Sequence, residues 1–215
     1  MRIFFNLILI FFVFFSIGTE TYNYVYGDIH PSILNEKSKL NRLIYYYSYF
    51  TVQSNIAVGI SSLLLLFKPD YSKKWFRILR IDGIICIVIT CIVYNLMLRH
   101  DHNVKGIMRF TNEALHVFIP FLAVLYWLLY GPRKLLDKKT TFFAIIPPLI
   151  YVIYIFIRGH FTNMYPYPFL DAGKIGLFQA LLNTGAIVLL FLFLEFILIY
   201  IDNQLIKRIN LKLKF

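Results

Sequence analysis

The chain has 215 residues, of which 59% are hydrophobic and 19% aromatic, and its mean hydropathy is +0.67. These values exclude an ordinary soluble domain, in which apolar residues make up about half of the chain. The formal net charge of +11 is divided among short segments between apolar runs, which favours membrane lipids over nucleic acid as the partner of the basic residues.

Six apolar stretches follow one another, each close to the ~20 residues that a helix needs to cross a ~30 Å hydrocarbon core. None alternates with the period of two that a membrane β-strand shows. The sequence therefore predicts an all-α, polytopic membrane protein with one six-helix transmembrane domain over residues 1–202 and a basic amphipathic cytoplasmic tail over 203–215. The predicted spans one to six cover residues 2–21, 42–67, 78–98, 107–130, 140–157 and 174–201.

Span one, which follows Arg2, has features of a signal peptide, including the small residues Ser16 and Gly18 near a cleavage pattern. Because the apolar run continues towards Tyr22, the prediction is a retained first helix. With the N-terminus inside, 14 of the 22 Lys and Arg residues fall in inner segments and 8 in outer ones. The positive-inside rule then predicts both termini in the cytoplasm, and the protein in the cell membrane.

Three polar residues recur at one predicted depth. Thr51, His116 and Asn183 each lie nine residues beyond the predicted outer start of spans two, four and six. At 1.5 Å rise per residue, all three lie about 13 Å below the outer boundary. Ionisable groups in a span face the bundle interior and mark function. A hydroxyl and an imidazole at matched depth therefore predict an intramembrane nucleophile and its base.

The neighbours of Thr51 on span two are also polar. Ser54 and Asn55 share its helical face at spacings of three and four residues, and Gln53 directly precedes them. Considered alone, a threonine in a membrane helix usually bonds its own backbone or a neighbouring helix. The cluster, rather than Thr51 by itself, favours a functional site.

On span four, Asn112 and Glu113 precede His116 by four and three residues, so all three can face the same way. Pro120 lies one turn beyond His116, where it removes a backbone hydrogen bond. We expect a bend there that opens room beside the imidazole. A structural interhelical bond is the competing interpretation of His116.

Two outer loops carry further candidates. The segment 165–171, before span six, has two prolines that forbid helix and three aromatic residues typical of a membrane interface. It is predicted to fold over the outer opening of the bundle, as a lid or as a rigid turn. His100, Asp101 and His102 lie too close together in one turn to complete a tetrahedral metal site, so no metal and no other cofactor is predicted.

Three sequence elements resemble the motifs of one membrane family. They are Phe50-Thr51 with the polar run 53–55, the segment 112–116 with Pro120, and Tyr-Pro-Phe-Leu-Asp at 167–171. In this order and spacing, over residues 45–185, the chain resembles the androgen-induced/FAR-type six-span membrane proteins. It is most similar to their bacterial branch, often labelled Pr-six-Pr.

This resemblance implies an intramembrane threonine hydrolase that cleaves esters between a fatty acid and a hydroxy fatty acid, with the nucleophile at Thr51 and the general base at His116. An oxyanion needs donors, for which Gln53, Asn55 and Asn183 are the candidates. Glu113 is expected to orient the imidazole. The other predicted assisting or substrate-binding residues are Ser54, Asn112, Tyr167 and Asp171.

Two other classes of function fit the same residues. In a binding or transport protein, the polar level would hold a small solute or lipid, and Glu113 and His116 would carry protons. Spans one to three and four to six show no clear internal repeat, although many transporters have one. The protein could also be a structural or regulatory partner without chemistry of its own. Covalent labelling of Thr51 discriminates among these classes.

Overall fold

The structure is a computed structural model that describes residues 1–27, 36, 38–101, 105–133 and 137–212. Within these ranges all regular structure is helical, and six helices are long and apolar enough to cross a membrane. The prediction of an all-α protein with six membrane-spanning helices is confirmed at that level. The helices are α1 (Arg2–Tyr26), α2 (Lys39–Tyr47), α3 (Phe50–Phe67), α4 (Lys74–Val93), α5 (Gly106–Glu113), α6 (Ile119–Tyr130), α7 (Lys138–Ala144), α8 (Ile146–Thr162), α9 (Ala172–Ile175) and α10 (Leu177–Lys212).

Several of these helices join into longer spans. A π turn at Tyr94–Leu98 prolongs α4, and a second π turn at Ala114–Phe118 joins α5 to α6. Helices α7 and α8 form one span of 24 residues. Helix α10 continues without a break through the predicted domain boundary at residue 202. The predicted tail therefore begins as part of this helix, and residues 213–215 lie outside the described part of the chain.

Helix α3 is at the centre of the bundle, packed between α1 and α4. Leu9, Val13 and Val58 are fully buried where α1 meets α3. Gly59 permits this close approach, since a Cβ atom there would lie 2.9 Å from Cγ1 of Val13. Small residues at such crossings are typical of membrane helix packing. A second buried cluster joins α4, α6 and α10 around residues such as Phe191.

Span two begins later than predicted. Instead of one helix from residue 42, the chain forms α2, turns at Ser48 and Tyr49, and starts α3 at Phe50. The side chain of Ser48 donates to the Ile44 carbonyl (2.6 Å), and the Tyr151 hydroxyl of α8 donates to the Ser48 carbonyl (3.1 Å). The Ile44 carbonyl keeps its helical bond from the Ser48 N–H (3.0 Å), but the Ser48 carbonyl bonds Tyr151, and the Val52 N–H bonds the Tyr49 carbonyl instead (3.1 Å). The helix is interrupted at this point, so the prediction of a continuous span over 42–67 is wrong.

Candidate functional site

The helix break places Thr51 in the first turn of α3, as the second residue of the helix. It does not lie nine residues into a span, as predicted. Backbone N–H groups of a first turn have no acceptor within the helix. The Thr51 N–H instead donates to the hydroxyl of Tyr167 (3.2 Å), which arrives from the loop before α10. Both the main chain and the side chain of Thr51 are therefore available to groups outside its own helix.

His116 lies in the middle of the π turn that joins α5 and α6. The N–H of Ile119 bonds to the carbonyl of Ala114, five residues earlier, which is the π pattern. Pro120 has no N–H to give to the His116 carbonyl four residues before it, so the regular α pattern cannot continue there. The irregularity expected near Pro120 takes the form of this π turn, a feature frequent at functional sites.

The imidazole of His116 bridges Thr51 and the main chain of α5. Its Nδ1 atom lies 2.8 Å from the carbonyl oxygen of Asn112, and its Nε2 atom lies 3.2 Å from Oγ1 of Thr51. A carbonyl can only accept, so Nδ1 carries the proton. In the neutral ring Nε2 is then an acceptor, and it faces the Thr51 hydroxyl. This is the arrangement of a hydroxyl and a general base.

An aromatic ring supports the imidazole from one side. Tyr94 stacks on His116 with ring centroids 4.0 Å apart and an interplanar angle of 22°. The side-chain amide of Asn112 donates to the Tyr94 hydroxyl. Asn112 thus fixes the imidazole through its carbonyl and the stacking ring through its side chain. The residues that meet here come from the two π turns and the helix between them.

Tyr167 completes the contacts of Thr51. Its hydroxyl oxygen lies 3.4 Å from Oγ1 of Thr51, and its ring stacks on Phe169 at 5.2 Å. Burial raises the pKa of Tyr167, so the hydroxyl keeps its proton. Asn183 of α10 donates to the Phe169 carbonyl (2.8 Å) and holds this loop against the bundle. Tyr167 and Leu170 are buried, so the segment 165–171 is packed into the bundle.

Two cavities meet at Thr51. The first, which we call the apolar cavity, has a volume of about 70 Å³, several times what one water molecule requires. The second, which we call the tyrosine vestibule, has a volume of about 300 Å³. Thr51, Leu98, His116 and Tyr167 line both. The other side chains of the apolar cavity come mainly from α4, α8 and α10 and include Ile89, Val93, Pro148, Leu149, Val152, Ile187 and Phe191.

The polar neighbours of Thr51 on α3 serve the helix and its packing. Asn55 donates to the carbonyls of Thr51 (2.8 Å) and Leu115 (3.2 Å), so its amide hydrogens are occupied. Ser54 bonds to the Thr51 carbonyl and meets the hydroxyl of Thr90 at 3.1 Å. Gln53 is exposed and donates to a carbonyl of α2. The expectation that Gln53 or Asn55 donates to an oxyanion at Thr51 is therefore corrected.

Three other predicted site residues have structural partners. Both carboxylate oxygens of Glu113 accept from Arg99, at 2.7 and 2.8 Å. The imidazole nitrogens face Thr51 and the Asn112 carbonyl, so the orienting role predicted for Glu113 belongs to Asn112. Asn183 bonds to the loop and to Gln179, and is not directed at Thr51 as an oxyanion donor. Asp171 caps α9 and pairs with Lys174 at 3.2 Å.

Sequence reasoning missed Tyr94 and Glu20. Tyr94 gives no local signal, because an aromatic residue in an apolar span usually belongs to the core or the interface. Glu20 does give one, since a carboxylate in a span marks a functional site by default. It is 7% exposed, accepts a hydrogen bond from Thr111 at 2.5 Å, and lines the tyrosine vestibule.

Among the described residues, no group of three or more His, Cys, Asp or Glu side chains could hold a metal ion. His102 of the outer-loop cluster lies outside them. Comparison with protein-family models, with curated proteins and with solved structures finds no match to this chain. The resemblance to the androgen-induced/FAR-type proteins thus stays a prediction from three sequence elements, and the site is interpreted from its own geometry.

Proposed function

We propose that this protein is an intramembrane threonine hydrolase of lipid carboxylic esters, with Thr51 as nucleophile and His116 as general base. One observation carries the proposal: Nε2 of His116 faces Oγ1 of Thr51 at 3.2 Å, while Nδ1 lies 2.8 Å from a main-chain carbonyl, which can only accept. A nucleophile, its base and an orienting group are the parts that covalent acyl transfer requires.

The proposed reaction has two stages. Nε2 of His116 takes the hydroxyl proton as Oγ1 of Thr51 attacks the ester carbonyl carbon. The imidazolium then gives this proton to the departing alkoxide, which leaves an acyl-threonine. In the second stage His116 takes a proton from a water molecule as the water oxygen attacks the acyl carbon. The bond from this carbon to Oγ1 of Thr51 then breaks, the imidazolium returns the proton to Oγ1, and the fatty acid leaves. General-base assistance of this kind typically contributes about 10²–10⁴-fold.

The negative charge of the tetrahedral intermediate needs a donor, and Tyr167 is the candidate. Its hydroxyl oxygen accepts from the Thr51 N–H, so its own proton is available to an oxygen bound beside Oγ1. The N-terminus of α3 adds the partial positive charge of the helix dipole at the same point. Both effects act where the charge develops, which is the requirement for stabilising a transition state.

The two cavities suit the two halves of a lipid ester. The apolar cavity matches the alkyl carbons next to the ester, because its lining consists almost entirely of hydrophobic and aromatic side chains; its volume of about 70 Å³ holds only this part of a long chain. The tyrosine vestibule, which contains carboxylate and hydroxyl groups, matches the alcohol half and the incoming water. In this proposal the protein lies in the cell membrane with both termini in the cytoplasm, as the distribution of basic residues indicates.

A binding or transport role for a small solute or lipid is the second candidate. The observation that favours it is that Thr51 and His116 line two cavities at once, so a bound molecule could occupy both without reacting. The two functions differ in one measurable property. An activated hydroxyl forms a covalent bond with an electrophile, whereas a threonine that only binds a ligand does not.

The test is fluorophosphonate labelling of the detergent-purified protein. Labelling of the wild type, lost in Thr51→Ala and in His116→Ala, is the expected result. Two matched controls should label normally. Thr184→Ala removes another threonine of the apolar cavity, whose hydroxyl bonds its own helix, and His160→Ala removes an exposed histidine of α8. An unlabelled wild type, or labelling retained in Thr51→Ala, would overturn the hydrolase proposal.

A further inference from the structure

The tyrosine vestibule combines a buried carboxylate with several aromatic rings. Glu20 lies on the wall of this cavity, within span one. Of the ion pairs among the described residues, none includes Glu20, whose carboxyl group accepts a hydrogen bond from the Thr111 hydroxyl. Burying an ionised carboxylate without a cation is costly. The tyrosines that line the same cavity are Tyr24, Tyr45, Tyr46, Tyr49, Tyr165 and Tyr167.

The rings pack against one another from Glu20 towards Thr51. Tyr24 contacts Tyr46 with ring centroids 4.7 Å apart, and lies edge-on to Tyr49 at 6.2 Å. Tyr49 in turn lies edge-on to Tyr167 at 5.5 Å. The aromatic wall is therefore continuous between the carboxylate and the residue that contacts Thr51. Burial, together with the nearby Glu20 carboxylate, raises the pKa of Tyr46.

Some tyrosine hydroxyls of this wall bond to one another or to the main chain. The Tyr49 hydroxyl donates to that of Tyr45, which donates to the Tyr165 carbonyl, both at 3.4 Å. Among the described residues of this wall, the charged side chains are Glu20, Asp171 and Lys174, and the last two pair with each other at 3.2 Å. Glu20 is the carboxyl group of the wall that has no ion pair within the described part of the chain, so an entering cation finds its counter-ion there. A cation is thus the charge type that complements the cavity.

We propose that the tyrosine vestibule is a binding site for an alkylammonium group, with the Glu20 carboxylate as counter-ion and the surrounding tyrosine rings as its aromatic wall. Aromatic rings attract a cation through the negative potential of their faces, and a quaternary ammonium loses little hydration on entering such a cavity. A volume of about 300 Å³ is at the lower end of the range for small-molecule sites.

The site also specifies a substrate class for Thr51, and this part rests on the proposed hydrolase function. An ester whose acyl chain lies in the apolar cavity has its alcohol half in the vestibule. The preferred substrates are then acyl esters of an alcohol that carries a quaternary ammonium group. An ester of a hydroxy fatty acid, whose alcohol half ends in a carboxylate, is disfavoured by Glu20 through like-charge repulsion.

The test uses two esters of equal shape and different charge: dodecanoylcholine and 3,3-dimethylbutyl dodecanoate, in which carbon replaces the ammonium nitrogen. Binding to the Thr51→Ala protein, measured through tyrosine fluorescence in a non-ionic detergent, is independent of catalysis. We expect the choline ester to bind at least about tenfold more tightly, a ratio within the range of a desolvated cation–π site. Equal affinity for both esters would overturn the cation site.

Charge variants assign the preference to Glu20. Glu20→Gln in the Thr51→Ala background should bring the two affinities to within about twofold of each other. Glu195→Gln removes a buried carboxylate of α10 that lines neither cavity, and should leave the ratio unchanged. Should Glu20→Gln fold poorly, Tyr46→Leu should also reduce the ratio, since it removes one ring of the wall. A ratio unchanged in a folded Glu20→Gln protein would overturn the assignment.

Hydrolysis by the wild type separates the two proposals. Cation-selective binding without hydrolysis of either ester would support the ammonium site and overturn the proposed hydrolase function. Hydrolysis of both esters with equal kcat/KM, and equal binding, would support the hydrolase and overturn the ammonium site.

Discussion

Two of the groups of buried polar side chains in the bundle, one around Thr51 and one around Arg80, differ in what reaches them. At the Thr51 group, the hydroxyl, the imidazole and the Tyr167 hydroxyl contact one another and line two cavities. At the Arg80 group, the guanidinium donates to Ser61 at 3.1 Å and lies over the Tyr126 ring, while its Nε and Nη2 atoms have no hydrogen-bond partner among the described residues.

This comparison shows that burial of polar groups in a span does not by itself identify a site. Arg80 is 2% exposed and lines neither of the two cavities. Thr51 is buried to a similar extent, yet a small molecule in either cavity would touch it. A candidate reactive group therefore differs from a merely buried polar group in two features, a neighbouring base and access to a cavity. The two groups should therefore respond to mutation in opposite ways.

The largest effect is expected at the imidazole. His116→Gln removes the base that faces Oγ1 of Thr51, so ester hydrolysis should fall by about 10²–10⁴-fold. The measurement is kcat on the dodecanoyl esters, with fluorophosphonate labelling as the second readout. His160→Gln, on the exposed surface of α8, is the matched control. A loss of less than about tenfold in His116→Gln would argue that another group takes the proton.

The next effect is expected at the loop hydroxyl. Tyr167→Phe keeps the ring that stacks on Phe169 but removes the donor beside Oγ1 of Thr51. Loss of one oxyanion donor lowers kcat by about 10²–10³-fold, and KM should change little because the cavity shape is kept. Tyr126→Phe removes the hydroxyl of a buried tyrosine of α6 that lines neither cavity, and should retain activity. Equal losses in both variants would contradict the role of Tyr167.

The number of spans was predictable from the sequence, and Thr51 and His116 could be chosen from it as candidates for one site, but the contact between them could not. Span lengths follow from apolar runs, and polar residues in those runs converge in the interior. The two residues were paired because they were predicted to lie at equal depth, and this premise is wrong, since span two does not begin near Arg42. The break at Ser48 depends on Tyr151, 103 residues away, and no local pattern reveals such a partner.

The assisting residues were harder to predict because their roles depend on geometry at the scale of one hydrogen bond. Asn55 lies on the same face as Thr51, yet its amide hydrogens bond two carbonyls. Glu113 lies three residues from His116, but Arg99 takes both of its oxygens. Spacing along a helix predicts which face a residue occupies. It does not predict which partner that residue chooses.

A smaller effect, on stability alone, is expected at the Arg80 group. Arg80→Met removes a buried charge whose guanidinium is only partly hydrogen-bonded, and hydrophobic replacement of buried charges is often neutral or stabilising. Labelling at Thr51 should stay at the wild-type level, and the midpoint of thermal unfolding should be unchanged or raised by about 2–4 °C. Arg80→Met with reduced labelling would contradict the separation of the two groups.

The matched control for this variant is Arg133→Met. Arg133 lies 3.5 Å from the carboxylate of Asp202, which is 2% exposed. Removing the cation of a buried pair costs about 3–5 kcal/mol, so this midpoint should fall. A higher unfolding midpoint in Arg80→Met and a lower one in Arg133→Met would show that a carboxylate partner decides whether removing a buried arginine stabilises or destabilises the protein.

The smallest effect is a change in the pH dependence of stability at the Thr51 group. Burial raises the pKa of Tyr167 above its ordinary value of 10.0, so the folded protein binds this proton more tightly than the unfolded chain does. The corresponding stability is fully present below pH 10 and is lost as pH rises through the folded-state pKa. In Tyr167→Phe the unfolding midpoint should therefore decline less steeply above pH 10 than in the wild type. The same slope in both proteins would mean that Tyr167 gives up its proton as readily when folded as when unfolded, and would argue against a hydroxyl that stays protonated beside Thr51.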